Sequence, residues 1–463
     1  MLFNSLHFGL LLVGTLFAVK LAPSRWRKGV LLVASWAFYA GWEPKWLALL
    51  WISTAVDYVA GRWLAREERL GWRRLALALS LVVNLGILFA YKYWDFALAI
   101  AGMRDWSEVA SRQSFHVYGD VPPGLSFYTF QTLSYTIDVY RRRQEAVRNP
   151  IDFSLYVAFF PQLVAGPILR ASEFFPQLER PPEASEARTW AAIELFALGL
   201  VKKVVIADNL GRIVDPIFEH PEQASALTLV LGGLLFWGQV YADFSGYSTM
   251  ARGLGKLFGV DLPRNFDSPL LSTGPLEYRR SWHMTMSAWF RDYVFHPLGG
   301  QRVGPLRVAV NILIVWTLFG AWHGAGLTFA AWGLYNGVVQ ALTREWYRRF
   351  GRPPDFRGKA VAGWLLNTII VFPSSVVFRS HSLADAGVAF ERIATFAGGE
   401  MPSIAGLGAF FGLGAVHLAA KLRYDENRLA SLRWPARVAV LAGVTWLVVF
   451  FGTESRPFVY FQF

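Results

Sequence analysis

The sequence predicts an all-α integral membrane protein, and three observations lead there. Apolar stretches of helical length recur from end to end, the loops between them alternate between basic and neutral or acidic, and only 17% of residues are charged against 54% apolar. Aromatic residues make up 16% of the chain, a load suited to lipid-facing and interfacial surfaces rather than to a soluble domain. The formal charge of +12 would by itself suggest nucleic-acid binding. In so apolar a chain it is better placed in cytoplasmic loops, which excludes a nucleic-acid partner. There is no cysteine, so disulfide frameworks, thiolate metal sites, Fe–S clusters and cysteine nucleophiles are excluded.

The first apolar stretch, Leu6 to Leu21, has no basic residue before it and Lys20, Arg25, Arg27 and Lys28 at its end or after it. That is the wrong order of charge for a cleaved signal, so it reads as a retained span with the amino terminus outside. Further stretches follow at 29–43, 45–61, 75–95, 125–140, 151–165, 225–241, 308–328, 329–343, 360–378, 403–420 and 435–452. Several fall short of the ~20 residues that cross a bilayer, so about 10–12 spanning, kinked or re-entrant helices are expected.

The loops 20–28, 62–74 and 141–149 are basic, 43–45 is neutral and 95–124 is acidic, as expected if the first three are cytoplasmic. The basic segments 344–359 and 421–437 then leave the tail after Gly452 outside. The middle breaks the hairpin pattern. Pro161, Gly166 and Pro167 interrupt one apolar run, and Lys202 and Lys203 sit inside another, from Trp190 to Phe218. A helix with two central lysines is expected at the interface or against protein, not facing lipid. With no internal repeat and no linker, residues 1–463 read as one membrane-embedded domain in the plasma or inner membrane.

Ionisable residues within lipid-buried sequence are costly enough to point to function. His323 stands in the segment Phe319 to Gly326, which reads FGAWHGAG, 15 residues from Val308. At 1.5 Å per residue that is about 22 Å along the helix, in the outer half of the membrane. The burial cost favours a functional role over a simple hydrogen bond to a neighbouring helix. His283 lies in the run Arg279 to Tyr293, RRSWHMTMSAWFRDY. On a continuous helix it shares a stripe with Ser287 and Phe290, beside an aromatic one of Trp282, Met286, Trp289 and Tyr293, and the helix should stop near His296 because of Pro297. The residues alone leave open whether this is an interfacial helix with aromatic anchors or part of a site.

Asp243, in GQVYADFSGYS from Gly238 to Ser248, is open in the same way. It could orient a histidine or bind substrate, and equally cap a helix or pair with an arginine. Ser245 lacks the glycine two positions earlier that a hydrolase nucleophile elbow requires. No zincin, Walker A or dinucleotide motif occurs, and His7, His116, His220, His381 and His417 are scattered, so no metal site is expected.

Taken together, PQLVAGPI at 161–168, GLVKKVVIADNL at 199–210, DFSGY at 243–247, Asn265-Phe266, RRSWHMTMSAWFRDYVFHPLGG at 279–300, GAWHGAG at 320–326 and PFVYFQF at 457–463 resemble the membrane-bound O-acyltransferase family. The likeness is to the branch of bacterial alginate O-acetyltransferases and teichoic-acid D-alanyl transfer proteins. It implies a bundle of spanning and re-entrant helices around a central tunnel or funnel. It maps the family's catalytic histidine onto His323 and its second polar position onto His283, and brings Trp282, Trp322, Asp243 and Arg291 close to the tunnel.

The implied reaction is transfer of an acetyl group from acetyl-CoA or another cytoplasmic thioester, with no bound cofactor, toward an exopolysaccharide such as alginate. The expected partners are membrane lipid, a periplasmic SGNH-type acetyltransferase and a cytoplasmic acyl carrier. Acetyl is favoured over D-alanyl because the C-terminal block and the extension around 383–420 resemble the polysaccharide-acetylating branch. A transporter without chemistry is the competing class, and the absence of an inverted repeat weighs against it.

Overall fold

The computed structural model describes residues 1–104, 121–351, 357–403 and 428–452, with Phe458 and a few positions between 405 and 412. His116, His417, most of the 403–420 stretch and the 457–463 block apart from Phe458 lie outside the described residues. The described residues are helical, with one isolated bridge between Ala224 and Glu400.

In chain order, the helices are α1 (Leu6–Leu21), α2 (Arg27–Ala40), α3 (Trp46–Arg66), α4 (Leu70–Leu88), α5 (Trp94–Ile100), α6 (Leu125–Tyr140), α7 (Pro150–Ala158), α8 (Phe160–Leu163), α9 (Ala171–Glu179) and α10 (Glu186–Leu200). They continue with α11 (Asp208–Glu219), α12 (Ala226–Leu257), α13 (Pro275–Ser281), α14 (Met284–Phe290), α15 (Pro305–His323), α16 (Leu327–Phe350), α17 (Arg357–Arg379), α18 (Leu383–Ala394), α19 (Arg428–Ser431) and α20 (Trp434–Phe451). Among the described residues five segments are long and apolar enough to cross a membrane: Leu70–Ile100, Ala226–Leu257, Pro305–His323, Ala360–Arg379 and Trp434–Phe451. Trp46–Arg66 and Leu327–Phe350 are as long but less apolar, and the remaining helices are shorter.

Local sequence explains the boundaries. Ser5, Asn149, Ser185, Ser225 and Ser382 each accept a backbone N–H at a helix start, and Pro305 opens α15 where its missing N–H costs nothing. The 151–165 run divides at Phe159, so α7 and α8 form a broken element, buried from Leu155 to Leu163. The 225–241 stretch is longer than its apolarity suggests. It continues as α12 through the polar Asp243 segment to Leu257, because this helix is the centre of the bundle and packs against protein over most of its length.

Three π-helical turns matter for the site: Phe89–Tyr93 joins α4 to α5, Val201–Ala207 joins α10 to α11, and Arg291–Phe295 follows α14. Such turns interrupt the regular hydrogen-bond ladder and redirect side chains.

Buried polar groups fasten the helices. Asp57 of α3 is fully buried and accepts hydrogen bonds from Ser80, from Thr136 at 2.7 Å and from Asn84 at 2.9 Å, which joins α3, α4 and α6. Arg73 of α4 donates to the carbonyls of Leu64, Glu67 and Tyr140 and so satisfies the ends of α3 and α6. α15 and α16 form a hairpin with backbones in contact. A Cβ on Gly320 would collide with the Phe329 carbonyl, and one on Gly333 with the Trp316 carbonyl.

Gly333→Val is therefore expected to push the hairpin apart and destabilise the protein by about 1–3 kcal/mol, the usual range for overpacking. Thermal unfolding in detergent reads this directly, with Gly351→Ala as a poor comparator because of its positive φ and Gly443→Ala, in open surroundings, as the proper control.

Candidate active site

His283 and His323 are brought together although 40 positions apart in sequence. His323 is the last residue of α15 and 2% exposed; His283 precedes α14 and is fully buried. Both imidazoles touch the same two rings. His323 lies 5.0 Å from Phe319 and 5.0 Å from Trp322, and His283 lies 6.2 Å and 5.7 Å from them. Trp332 and Phe378 close around His323, and Phe127 and Phe244 around His283.

The continuous helix expected across His283 is not formed. His283 has φ 41° and ψ 56°, a left-handed conformation that separates α13 from α14. The strain is of order 1–3 kcal/mol and needs surrounding structure to hold it. Asn265 supplies that support. Its carbonyl accepts the Met284 N–H at 2.9 Å and its side-chain oxygen accepts the Thr285 hydroxyl at 2.7 Å, while its amide donates to Ser248 at 3.3 Å. The break turns the imidazole into the protein. Neither ring nitrogen of His283 has a hydrogen-bond partner among the described residues. A buried polar group without a partner is costly, which is the signature of a group kept for a ligand or a reaction.

The aromatic stripe is likewise not an interfacial anchor. Met286 and Trp289 are buried, and Trp289 stacks on Phe130 at 4.0 Å and donates to its carbonyl at 2.8 Å. The helix does end near His296, as Pro297 requires.

Of the other expected site residues, Trp322 packs against both imidazoles, and Trp282 packs on Phe266 at 5.2 Å and Tyr278 at 5.5 Å, one residue from His283. Asp243 is engaged by a lysine. Lys203, turned inward by the π turn after α10, lies 2.8 Å from both Asp243 and Asp208. The neighbouring Phe244 is the residue of α12 that meets His283, at 4.6 Å. Arg291 is about half exposed, pairs with Asp292 at 2.9 Å, and lines a cavity rather than the imidazole pocket.

That cavity has a volume of about 450 Å³, and its lining includes five arginines, Arg279, Arg280, Arg291, Arg344 and Arg348, together with Phe290, Trp316 and Phe319. Phe319 is the ring that touches both histidines. Arg344 donates to the Gln301 amide oxygen at 2.7 Å and 3.0 Å, while Arg279 and Arg280 form no ion pair among the described residues. Glu345 is occupied by Arg348 and Arg349, whose hydrogen bonds pull its carboxyl down to about 2. Burial first, and then the like charges of Arg280 and Arg291, hold the Arg279 guanidinium below its usual range. Uncompensated guanidiniums facing one cavity favour an anion, and the planar fork of arginine suits phosphate.

Sequence reasoning missed Asn265 as a support, Gln301 and Arg344 as cavity residues, and Lys92, which donates to the carbonyls of Trp322 at 2.6 Å and His323 at 3.1 Å. A lysine inside the 75–95 apolar run is the signal that pointed to it.

Known proteins resemble this chain over most of its length. The family model described as MBOAT, membrane-bound O-acyltransferase family, matches residues 125–379, from α6 to the end of α17. A peptidoglycan O-acetyltransferase of Helicobacter pylori is 33% identical over 392 residues, covering 79% of this chain and 72% of the relative. A probable alginate O-acetylase of Pseudomonas putida is 32% identical over 474 residues, with 96% of each chain covered. A teichoic acid D-alanyltransferase of Streptococcus thermophilus is 27% identical over 250 residues, covering 49% and 57%.

The Lys203 cluster carries a stability prediction. Lys203→Met leaves two buried carboxylates without their shared cation and should cost about 3–5 kcal/mol, whereas Asp243→Asn leaves Lys203 paired with Asp208 and should cost less. Melting temperatures of the two purified variants test the order.

Proposed function

The chain belongs to the membrane-bound O-acyltransferase family and is an acyltransferase of the membrane; from that premise we propose that it moves an acetyl group from an anionic thioester donor to a hydroxyl acceptor on the opposite side of the inner membrane. The observation that carries this reading is the cavity lined both by five arginines and by Phe319, a ring against which both buried histidines pack. By loop charge the arginines are cytoplasmic, both termini are outside, and the donor is acetyl-CoA or an acyl carrier thioester. The arginines take its phosphates, and its acetyl end reaches past Phe319.

In the reaction the acceptor oxygen attacks the thioester carbonyl carbon, and a ring nitrogen of His323 takes the hydroxyl proton. The carbon–sulfur bond breaks, and the proton passes from His323 to the departing thiolate. Imidazole suits both transfers because its ordinary pKa lies near neutrality. His283, with ring nitrogens unengaged, polarises the carbonyl or positions the donor. Trp282 and Trp322 shape the passage between them. The acceptor is a polysaccharide hydroxyl, as in alginate, reached through a periplasmic SGNH-type acetyltransferase. The named acetyltransferase relatives align over more of this chain, and at higher identity, than the D-alanyl one, which supports acetyl as the transferred group.

His323→Ala should reduce acetyl transfer from labelled acetyl-CoA by roughly 10²–10⁴-fold in folded protein, the usual contribution of a general base. A wild-type rate would remove the base assignment. Mass spectrometry of the extracellular polymer from a deletion strain separates the chemistries: lost O-acetyl supports this reading, and lost D-alanine replaces it.

Replacing Arg280 or Arg344 with Gln should raise the donor KM roughly tenfold, about 1.4 kcal/mol, with little change in kcat. The wild-type KM should rise with salt as the guanidiniums are screened.

A further inference from the structure

We propose that Lys92 is a positioning residue for His323, acting through the backbone of α15 and not through substrate. The inference rests on reading His323 as the proton acceptor, and adds to it the device that keeps this histidine in place.

α15 stops at His323 because Gly324 takes an extended conformation, with φ −160° and ψ 154°. The last carbonyls of a helix have no intrahelical donor. Within a bilayer no bulk water replaces that donor, so the protein must provide one. Here it comes from two consecutive residues of the π turn Phe89–Tyr93. The Lys92 ammonium donates to the Trp322 carbonyl at 2.6 Å and the His323 carbonyl at 3.1 Å, and the Tyr93 hydroxyl donates to the Ala321 carbonyl at 3.1 Å.

Three successive carbonyls, 321 to 323, are thus held by a distant part of the chain. A cation is also the favourable charge at a helix C-terminus. The same ammonium lies 5.8 Å from the Trp322 ring, which packs against both imidazoles. Lys92 therefore holds the peptide that carries His323 and lies beside the Trp322 ring that packs against both imidazoles.

A simple fastening role would lower stability alone. A positioning role lowers turnover in protein that is still folded, since small misplacement of a reacting group costs up to about 10²-fold in rate. The experiment uses the full chain in detergent with labelled acetyl-CoA, and compares Lys92→Met, Tyr93→Phe, His323→Ala and the Lys92→Met/His323→Ala double variant. Expected is a kcat fall of roughly tenfold to a hundredfold for Lys92→Met, with donor KM near wild type at a temperature where the variant is folded. Lys92→Arg should recover part of the loss, and the double variant should be no slower than His323→Ala alone.

Should Lys92→Met not fold, Tyr93→Phe carries the test, because it deletes one hydroxyl and keeps the ring. A severalfold lower kcat with unchanged KM supports the proposal, and an unchanged kcat overturns it. A wild-type kcat in folded Lys92→Met beside an inactive His323→Ala overturns the positioning role only. Wild-type turnover in His323→Ala overturns the underlying reading and this proposal with it.

Discussion

Inside a hydrocarbon layer each backbone N–H and C=O has to find its partner within the protein, and this constraint governs the centre of the molecule. Unbroken helices meet it locally. The helices that carry the histidines are broken at or beside them, and each break is closed by side chains from elsewhere. Asn265 closes the break before α14, while Lys92 and Tyr93 close the end of α15. The bundle surrounding them is what makes these breaks tolerable. Reactive groups in a membrane enzyme need irregular backbone to aim them, and irregular backbone needs donors and acceptors brought in by the fold.

Charge follows a complementary division. In the interior, polar and charged groups are matched: Lys203 with Asp243 and Asp208, Asp57 with a set of hydrogen-bond donors, and Arg73 with carbonyl oxygens. Around the cavity, guanidiniums stand beside one another without equal compensation. The matched groups hold helices together, and the unmatched ones favour an incoming anion. Aromatic rings close around the two imidazoles, so their surroundings are apolar.

Much of the fold was legible because hydropathy and loop charge are read one segment at a time. The spans at 308–328, 360–378 and 435–452 correspond to α15, α17 and α20, and the interruption at Pro161 marks a broken element. Reasoning by segment went wrong where tertiary contacts overrule periodicity. It extended a helix through His283, which Asn265 holds in a left-handed conformation, and ended a span at 241 where α12 runs on to Leu257. His323 is singled out by the cost of burying it, whereas the residues around His283 leave its role open and it enters through the family resemblance of its motif. Asp243 was visible as a polar residue in an apolar run, yet its lysine partner lies on a different helix.

Composition and residue order are enough to establish a basic, helical membrane protein and to single out His323, since hydrophobicity and charge act on each segment independently of its neighbours. Proximity does not work that way. That Trp322 and Phe319 lie against both imidazoles, that Lys92 reaches the end of a helix more than 200 residues later in the chain, and that five arginines face one cavity all depend on helices crossing in space. Those crossings are set by close packing at sites such as Gly320 and Gly333, where backbones meet because there is no Cβ between them.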